Sequence, residues 1–267
     1  MPNVRVCTLF SGSSANSVLV EFGGKGILID AGGTVTRCQD AIKQTGLSLN
    51  DITAIFVTHE HTDHIKALSC ISRRYKIPII ANARTLRGIK STLYDIDDTL
   101  FREMPTGATA SGGDFAVTSF ATSHDSAESV GYIIQTPAGN IGVMTDTGLC
   151  PEGAAEKLSA CRAVILESNH DETMLLTGSY PYFLKKRVGG PRGHLSNLQS
   201  AEILSAIVSG GTERVFLAHL SKENNTPRLA MESAERALEE IGAKQGKDVF
   251  VTVAPRDVPS EVWQFGC

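Results

Sequence analysis

Over the first thirty residues, apolar and polar positions form three short runs, VRVCTLF, SVLVEF and ILID, parted by the small polar stretches SGSSAN and GGKG. Runs rich in β-branched residues and bounded by Gly, Ser and Asn predict a meander of three strands. Asp51 to Thr58 (DITAIFVT) is apolar without alternation, the pattern of a strand covered on both faces, and it ends where the chain turns polar at His59. A helix is expected over about Ile65 to Tyr75 and a short strand at Pro78 to Ala81, after which the chain carries no clear period up to Asp98. Strands return through Asp114 to Thr145, with Gly112-Gly113 and Pro137 to Asn140 as turns. From there helix and strand alternate: a strand at Arg162 to Glu167, a helix at Ser196 to Val208, a strand at Arg214 to Ala218, a helix at Thr226 to Ile241 and a strand at Asp248 to Val253. Ser196 with Gln199 matches a capping box, and Thr226-Pro227 sets a cap ahead of a proline at the first helical position. Strands and helices in both halves predict a layered α/β protein with one large mixed sheet or two packed sheets.

Composition narrows the class. With 267 residues, 42% of them hydrophobic and 20% charged, the chain can bury a core, and no linker or low-complexity stretch divides it, so a single domain over 1–267 is expected. The net charge of −4 argues against a globally cationic nucleic-acid binder and leaves room for a local basic patch. Cys7, Cys38, Cys70, Cys150, Cys161 and Cys267 form no C-x-x-C pair and read as free thiols. With no leader-like start and no apolar run long enough to span a bilayer, the expectation is a cytoplasmic protein without a membrane partner.

The seven histidines carry more. Three of them fall in His59-Glu60-His61-Thr62-Asp63-His64, directly after an apolar strand. Imidazole and carboxylate together suit zinc, manganese or iron, and a strand end lets neighbouring ligands converge. This H-x-H-x-D-H run resembles the signature of metallo-β-lactamase-fold hydrolases. The likeness extends to Asp30 in ILIDAGG, His124 in ATSHDS, Asp146 in VMTDTG and His219 in VFLAHLS. It implies an α/β (α+β) chain folded as a four-layer αββα sandwich, with the site at one edge of the sheets. It also implies two divalent ions, Zn²⁺ or Mn²⁺, with Fe²⁺ compatible: His59, His61 and His124 on one, Asp63, His64 and His219 on the other, Asp146 bridging, Asp30 orienting imidazoles from behind, and Glu60 pointing away. Two such ions, the carboxylates of Asp63 and Asp146 and a bridging hydroxide leave about +1 at the centre, which suits a phosphoester attacked by a hydroxide generated on the metals. Lactone, thioester and β-lactam hydrolysis use the same chemistry.

His194, in PRGHLSN just before the capped helix, is placed to donate a proton or stabilise an oxyanion, and with Asp63 it is the catalytic candidate. Lys185, Lys186, Arg187 and Arg192 lead into it as a basic track. CTLFSGSSANS, LESNHDETML, GHLSN and LAHLSKENNTP are similar to the YycJ/WalJ (VicX) family over about Cys7 to Pro227, with Ala15 where that family has glycine in SGSSGN. The resemblance implies a 5′-to-3′ DNA exonuclease or phosphodiesterase whose partner is nucleic acid, DNA ahead of RNA, or a small phosphodiester; a homodimer is compatible. Processing of tRNA fits less well, since those relatives clasp tRNA with an arm and only twenty-one residues separate His124 from Asp146.

Substrate-side candidates are Ser13 and Asn16, which contact a phosphate or merely form a hairpin turn, together with Lys186 and Arg192. His170 lines the pocket or is hydrogen-bonded away from it. Asn225 orients the loop of His219 or caps the next helix. Tyr180, Tyr182 and Phe183, at the start of an amphipathic helix, read as core packing ahead of base stacking.

Overall fold

In the computed structural model, which describes residues 3–266, the chain lays down two seven-stranded sheets. Cys267 lies outside the described residues. The first sheet takes β1 (Val4–Phe10), β2 (Ser17–Phe22), β3 (Lys25–Ile29), β4 (Ile52–Phe56), β5 (Ile79–Ala81) and β6 (Phe101–Glu103) in that order. The second takes β7 (Thr109–Gly112), β8 (Phe115–Ala121), β9 (Val130–Gln135), β10 (Asn140–Met144), β11 (Cys161–Glu167), β12 (Arg214–Ala218) and β13 (Phe250–Val253). β14 (Trp263–Phe265) returns to the first sheet and pairs antiparallel with β1, Val4 opposite Phe265. The helices are α1 (Val35–Gln44), α2 (Thr62–Ile65), α3 (Leu68–Tyr75), α4 (Ala83–Thr92), α5 (Ala154–Ser159), α6 (Glu172–Thr177), α7 (Tyr182–Val188), α8 (Asn197–Ser209) and α9 (Pro227–Glu240).

Three buried clusters define four layers. Val4, Val20, Ile27 and Phe56 of the first sheet interdigitate with Phe115, Tyr132, Ile141, Ile165 and Phe216 of the second. On the outer face of the first sheet, Leu19, Leu28 and Ile55 pack on Ile42, Leu68, Ile71 and Ile89 of α1, α3 and α4. On the outer face of the second, Val164, Leu166 and Val215 meet Leu158, Leu204, Ile207 and Leu238 of α5, α8 and α9. Both faces of the central strands are therefore buried, which is why β4, β11 and β12 read as unbroken apolar runs. This is the αββα sandwich.

The caps anticipated in the second half are present. Ser196 and Gln199 bond reciprocally at the start of α8, and the Thr226 side chain caps α9 ahead of Pro227. The helix expected at Ile65 to Tyr75 is two helices, α2 and α3, which break at Lys66–Ala67. α4 falls in the stretch without a clear period, where Gly88 and few apolar residues hide it. Its glycine is required: a Cβ on Gly88 would lie 2.5 Å from Glu60 Cγ. Glu60 thus lies across α4 and accepts a hydrogen bond from the Ala127 amide (2.8 Å), so the side chain expected to be idle braces α4 against the loop of His124.

Among the described residues, no helix is long and apolar enough to cross a membrane. Among the described cysteines all are free thiols.

Candidate metal centre

Strands β3 and β4 run parallel to each other, as do β10, β11 and β12, and their carboxyl ends open on one edge of the sandwich. Asp30 follows β3, His59 closely follows β4, Asp146 follows β10 and His219 follows β12, while Glu167 closes β11. Loops at carboxyl ends of parallel strands are where α/β sheets build their sites. Asp30, Asp146 and His219 all have positive φ, 61°, 57° and 58°, so the chain turns sharply at each strand end and aims the side chain back over the sheet edge.

Four imidazoles share one device. His64 Nδ1–H donates to Asp30 Oδ2 (2.7 Å), His219 Nδ1–H to Glu167 Oε1 (2.8 Å) and His124 Nδ1–H to the Gly193 carbonyl (3.0 Å). The Thr58 hydroxyl donates to Asp30 Oδ2 (2.8 Å) and so accepts from His59 Nδ1–H at 3.0 Å. Each outer bond fixes the tautomer that leaves the Nε2 lone pair facing the centre. There the donor atoms gather into groups within 4.8 Å: His59, His61 and His124 in one, Asp63, His64 and His219 in another. Asp146 lies between them, its oxygens 3.4 Å from His64 Nε2 and 3.8 Å from His124 Nε2. His59 Nε2, Asp146 Oδ2 and His219 Nε2 are buried with no hydrogen-bond partner among the described residues. Buried polar atoms without partners are rare, and a ring of convergent imidazole and carboxylate donors fits divalent metal ions.

The electrostatics agree with that fit. Burial pulls the His59 imidazole far below its ordinary value, and His64, His124 and His61 add to the effect, so it stays neutral. Burial also disfavours a charged His219, yet Asp146, Asp63 and Glu167 push it up to about 10. His64 is likewise held well above its ordinary value by Asp146, Asp63 and Asp30 against the pull of burial. Carboxylates packed this densely demand positive charge between them, and in the metal-free chain protons on His64 and His219 supply it.

A beta-lactamase superfamily domain matches residues 25–220. The chain belongs to the metallo-β-lactamase superfamily. Within it, the chain is 33% identical over 254 residues to exodeoxyribonuclease YycJ of Bacillus anthracis, covering 95% of this chain and 96% of that one. It is also 33% identical over 224 residues to exodeoxyribonuclease WalJ of Streptococcus pneumoniae, 83% of each. Among solved structures, the metallo-β-lactamase fold protein YhfI from Bacillus subtilis superposes with a TM-score of 0.74 at 15% identity, covering 99% of this chain and 100% of that one. The chain is thus a metallohydrolase of the YycJ/WalJ branch.

One residue of this metallo-β-lactamase centre escapes the sequence reading. Glu167 is fully buried; its Oε1 accepts from Nδ1 of both His194 and His219 (2.8 Å each), and its Oε2 from the amides of Thr147 (2.9 Å) and Leu195 (3.2 Å). Although burial alone would raise its pKa, His194 and His219 hold the carboxyl well below the usual range. The signal was a carboxylate closing an apolar strand, RAVILE, as Asp30 closes ILI. His194 stands over the centre, its ring 4.9 Å from that of His124 and 5.1 Å from that of His219.

The substrate-side candidates divide. Asn16 is buried, its Nδ2 donating to Asp63 Oδ2 (3.0 Å) and to the Gly12 carbonyl (3.1 Å), so it ties the SGSSAN loop to Asp63. Ser13 is exposed at the tip of that loop, and Ala15 is buried without a positive φ, so its methyl costs the loop nothing. Asn225 faces inward with both ends of its amide engaged, by Ser168, Asn169, Asn197 and the Thr226 amide; it pins loops together and is not open to a substrate. Arg192 donates to the His124 carbonyl (3.1 Å), and Arg187 pairs with Asp125 beside it, so part of the basic track braces the His124 loop. Lys186 and His170 line a cavity next to the centre. Tyr182 and Phe183 are each 72% exposed, which corrects the expectation that they pack in the core: α7 has no buried residue.

Proposed function

We propose that this chain is a dinuclear metal-dependent phosphodiesterase that degrades DNA from an end, in the 5′-to-3′ direction. The observation that carries the reading is the convergence of two donor groups, His59/His61/His124 and Asp63/His64/His219, on Asp146, with His194 held over the same point by Glu167. The names of the relatives, exodeoxyribonucleases both, supply the substrate class. Two divalent ions in this cluster, Zn²⁺ or Mn²⁺ with Fe²⁺ compatible, would supply Lewis acidity and an acidified water.

The chain's own residues do the rest. Asp63 and Asp146 balance the positive charge and fix its position. Asp30, Thr58, Glu167 and the Gly193 carbonyl each hold one imidazole by its outer nitrogen, so the donors need little rearrangement. Glu167 also keeps His194 oriented with its Nδ1 proton engaged, which leaves Nε2 to carry a second proton towards the leaving oxygen. The His194 side chain is 18% exposed, which puts it on the open side of the cluster. Burial of His59, His64, His124, Asp146 and His219 shields the inner side of the cluster from water, while His61 and Asp63 are half-buried.

The test is digestion of 5′- and 3′-labelled single- and double-stranded DNA and RNA by protein loaded with Mn²⁺ or Zn²⁺. A ladder growing from the 5′ end of DNA is expected; intact DNA under every metal condition would overturn the reading.

A further inference from the structure

A cavity of about 690 Å³ lies between α6, α7 and the start of α8, and the steps above do not use it. Its size falls in the range of sites for small molecules and single nucleotides. It adjoins the loop that carries His194. Gly189 and Ser196 both line it, and the loop between them carries His194, whose Cα is at most about 7 Å of chain from that of Ser196.

Three properties of this cavity point to one kind of occupant. Its apolar wall ends in side chains left bare: Tyr182 is 72% and Leu176 71% exposed, beside an equally bare Phe183. Its rim carries Lys185 and Lys186, the Lys186 Nζ 4.9 Å above the Tyr182 ring, and one carboxylate, Glu172, which accepts a hydrogen bond from the Ser196 hydroxyl. Its floor is polar and unsatisfied. His170 is 2% exposed, its Nδ1 has no hydrogen-bond partner among the described residues, and its Nε2 faces Gly189, where a Cβ would lie 3.9 Å away. Bare aromatic surface under positive charge suits a base carrying a phosphate, since stacking accepts any base and the ammonium takes the anion. A buried ring with a free nitrogen suits the edge of such a base.

We propose that this cavity receives the nucleotide next to the one being cleaved, its base stacked on Tyr182 with His170 at its edge and its phosphate at Lys186. The proposal rests on the reading of the centre as a phosphodiesterase acting on a nucleic-acid strand. It adds a requirement: the base must leave the duplex stack to enter, so the strand is engaged as a single strand.

The test compares metal-loaded wild type, Tyr182→Ala and Tyr182→Phe on a 5′-labelled single-stranded oligodeoxynucleotide and on bis(p-nitrophenyl) phosphate, which is too small to span both sites. In Tyr182→Ala the KM for the strand should rise roughly five- to hundredfold, the worth of one base–aromatic stack. The preference for the strand over the small diester should fall with it, and Tyr182→Phe should restore both. An unchanged KM in Tyr182→Ala, with wild type still cutting the strand, overturns the cavity assignment and leaves the phosphodiesterase reading standing. Wild type that hydrolyses the small diester and no strand overturns the strand reading itself. Sedimentation provides a further check: a wild-type dimer that Tyr182→Ala converts to monomer, with KM unchanged, gives this face to a second copy of the chain and overturns the proposal.

Discussion

Replacing Glu167 by glutamine changes one oxygen to an amino group and nothing in volume, yet no orientation of the amide suits its surroundings. One carboxylate oxygen accepts from the Nδ1–H groups of His194 and His219, the other from the amides of Thr147 and Leu195. Wherever the amino group points, it faces two donors. Two hydrogen bonds are lost, each worth about 1.5–3 kcal/mol where a charged group takes part, and the site loses a buried negative charge that the imidazoles require. His219 is freed from its fixed orientation within the donor cluster, and His194 loses its partner at the same stroke. Removing a partner that orients one ligand costs about 10- to 100-fold in activity or metal affinity. With two imidazoles released together, kcat/KM in Glu167→Gln should fall roughly 10²- to 10³-fold. The assay is hydrolysis of bis(p-nitrophenyl) phosphate at saturating Mn²⁺, with metal affinity measured in parallel and folding checked by thermal melting. Activity within about threefold of wild type, in a folded and metal-loaded variant, would refute the reasoning that Glu167 positions both rings.

Two further expectations follow from the same geometry. His219 in the metal-stripped chain holds its proton up to about pH 10, against an ordinary value of 6.5. Because the folded value is the higher one, this proton stabilises the fold fully below about pH 6.5, and the contribution is lost as pH climbs through about 10. Melting temperatures of stripped protein should therefore fall over that window more steeply than those of metal-loaded protein, whose His219 has no such proton to lose, and identical slopes would contradict the assignment. Gly32→Ala would put a Cβ 1.9 Å from the Asp63 carbonyl and 2.5 Å from the Asn16 amide, both backbone, so the clash has no flexible end to yield. A loss of about 3 kcal/mol in urea unfolding is expected; an unchanged midpoint would show that the loop and α2 are not clamped there.

The layers and the donor cluster were legible for a plain reason: each leaves a local mark. Buried strands such as Ile52–Phe56 are apolar throughout, caps such as Ser196 and Thr226 sit at fixed offsets, and six consecutive residues supply four of the donors. What stayed hidden depends on contacts far apart in the chain. Glu167 matters because β11 ends between β10 and β12, and nothing nearby in sequence shows that two histidines 27 and 52 residues away will turn to it. α4 is a helix with a glycine at its centre because Glu60 packs there. β14 is three residues long and exists because β1 offers it an edge. Tyr182 and Phe183 read as core because aromatic residues usually are, and only the assembled surface shows that no layer covers α7. Asn225 accepts from the Thr226 amide and donates to the Asn169 carbonyl, and Asn169 in turn holds the His219 carbonyl, a chain of contacts that no local pattern displays.

On the function proposed above, two divalent ions gathered around Asp146 are needed together to hydrolyse a phosphodiester. This is tested most directly by titrating metal-stripped protein with Mn²⁺ while following hydrolysis of bis(p-nitrophenyl) phosphate at tight-binding protein concentration. Activity should rise to a plateau that breaks at two equivalents of metal per chain. A plateau reached at one equivalent, or no hydrolysis at saturation with either Mn²⁺ or Zn²⁺, would contradict the account.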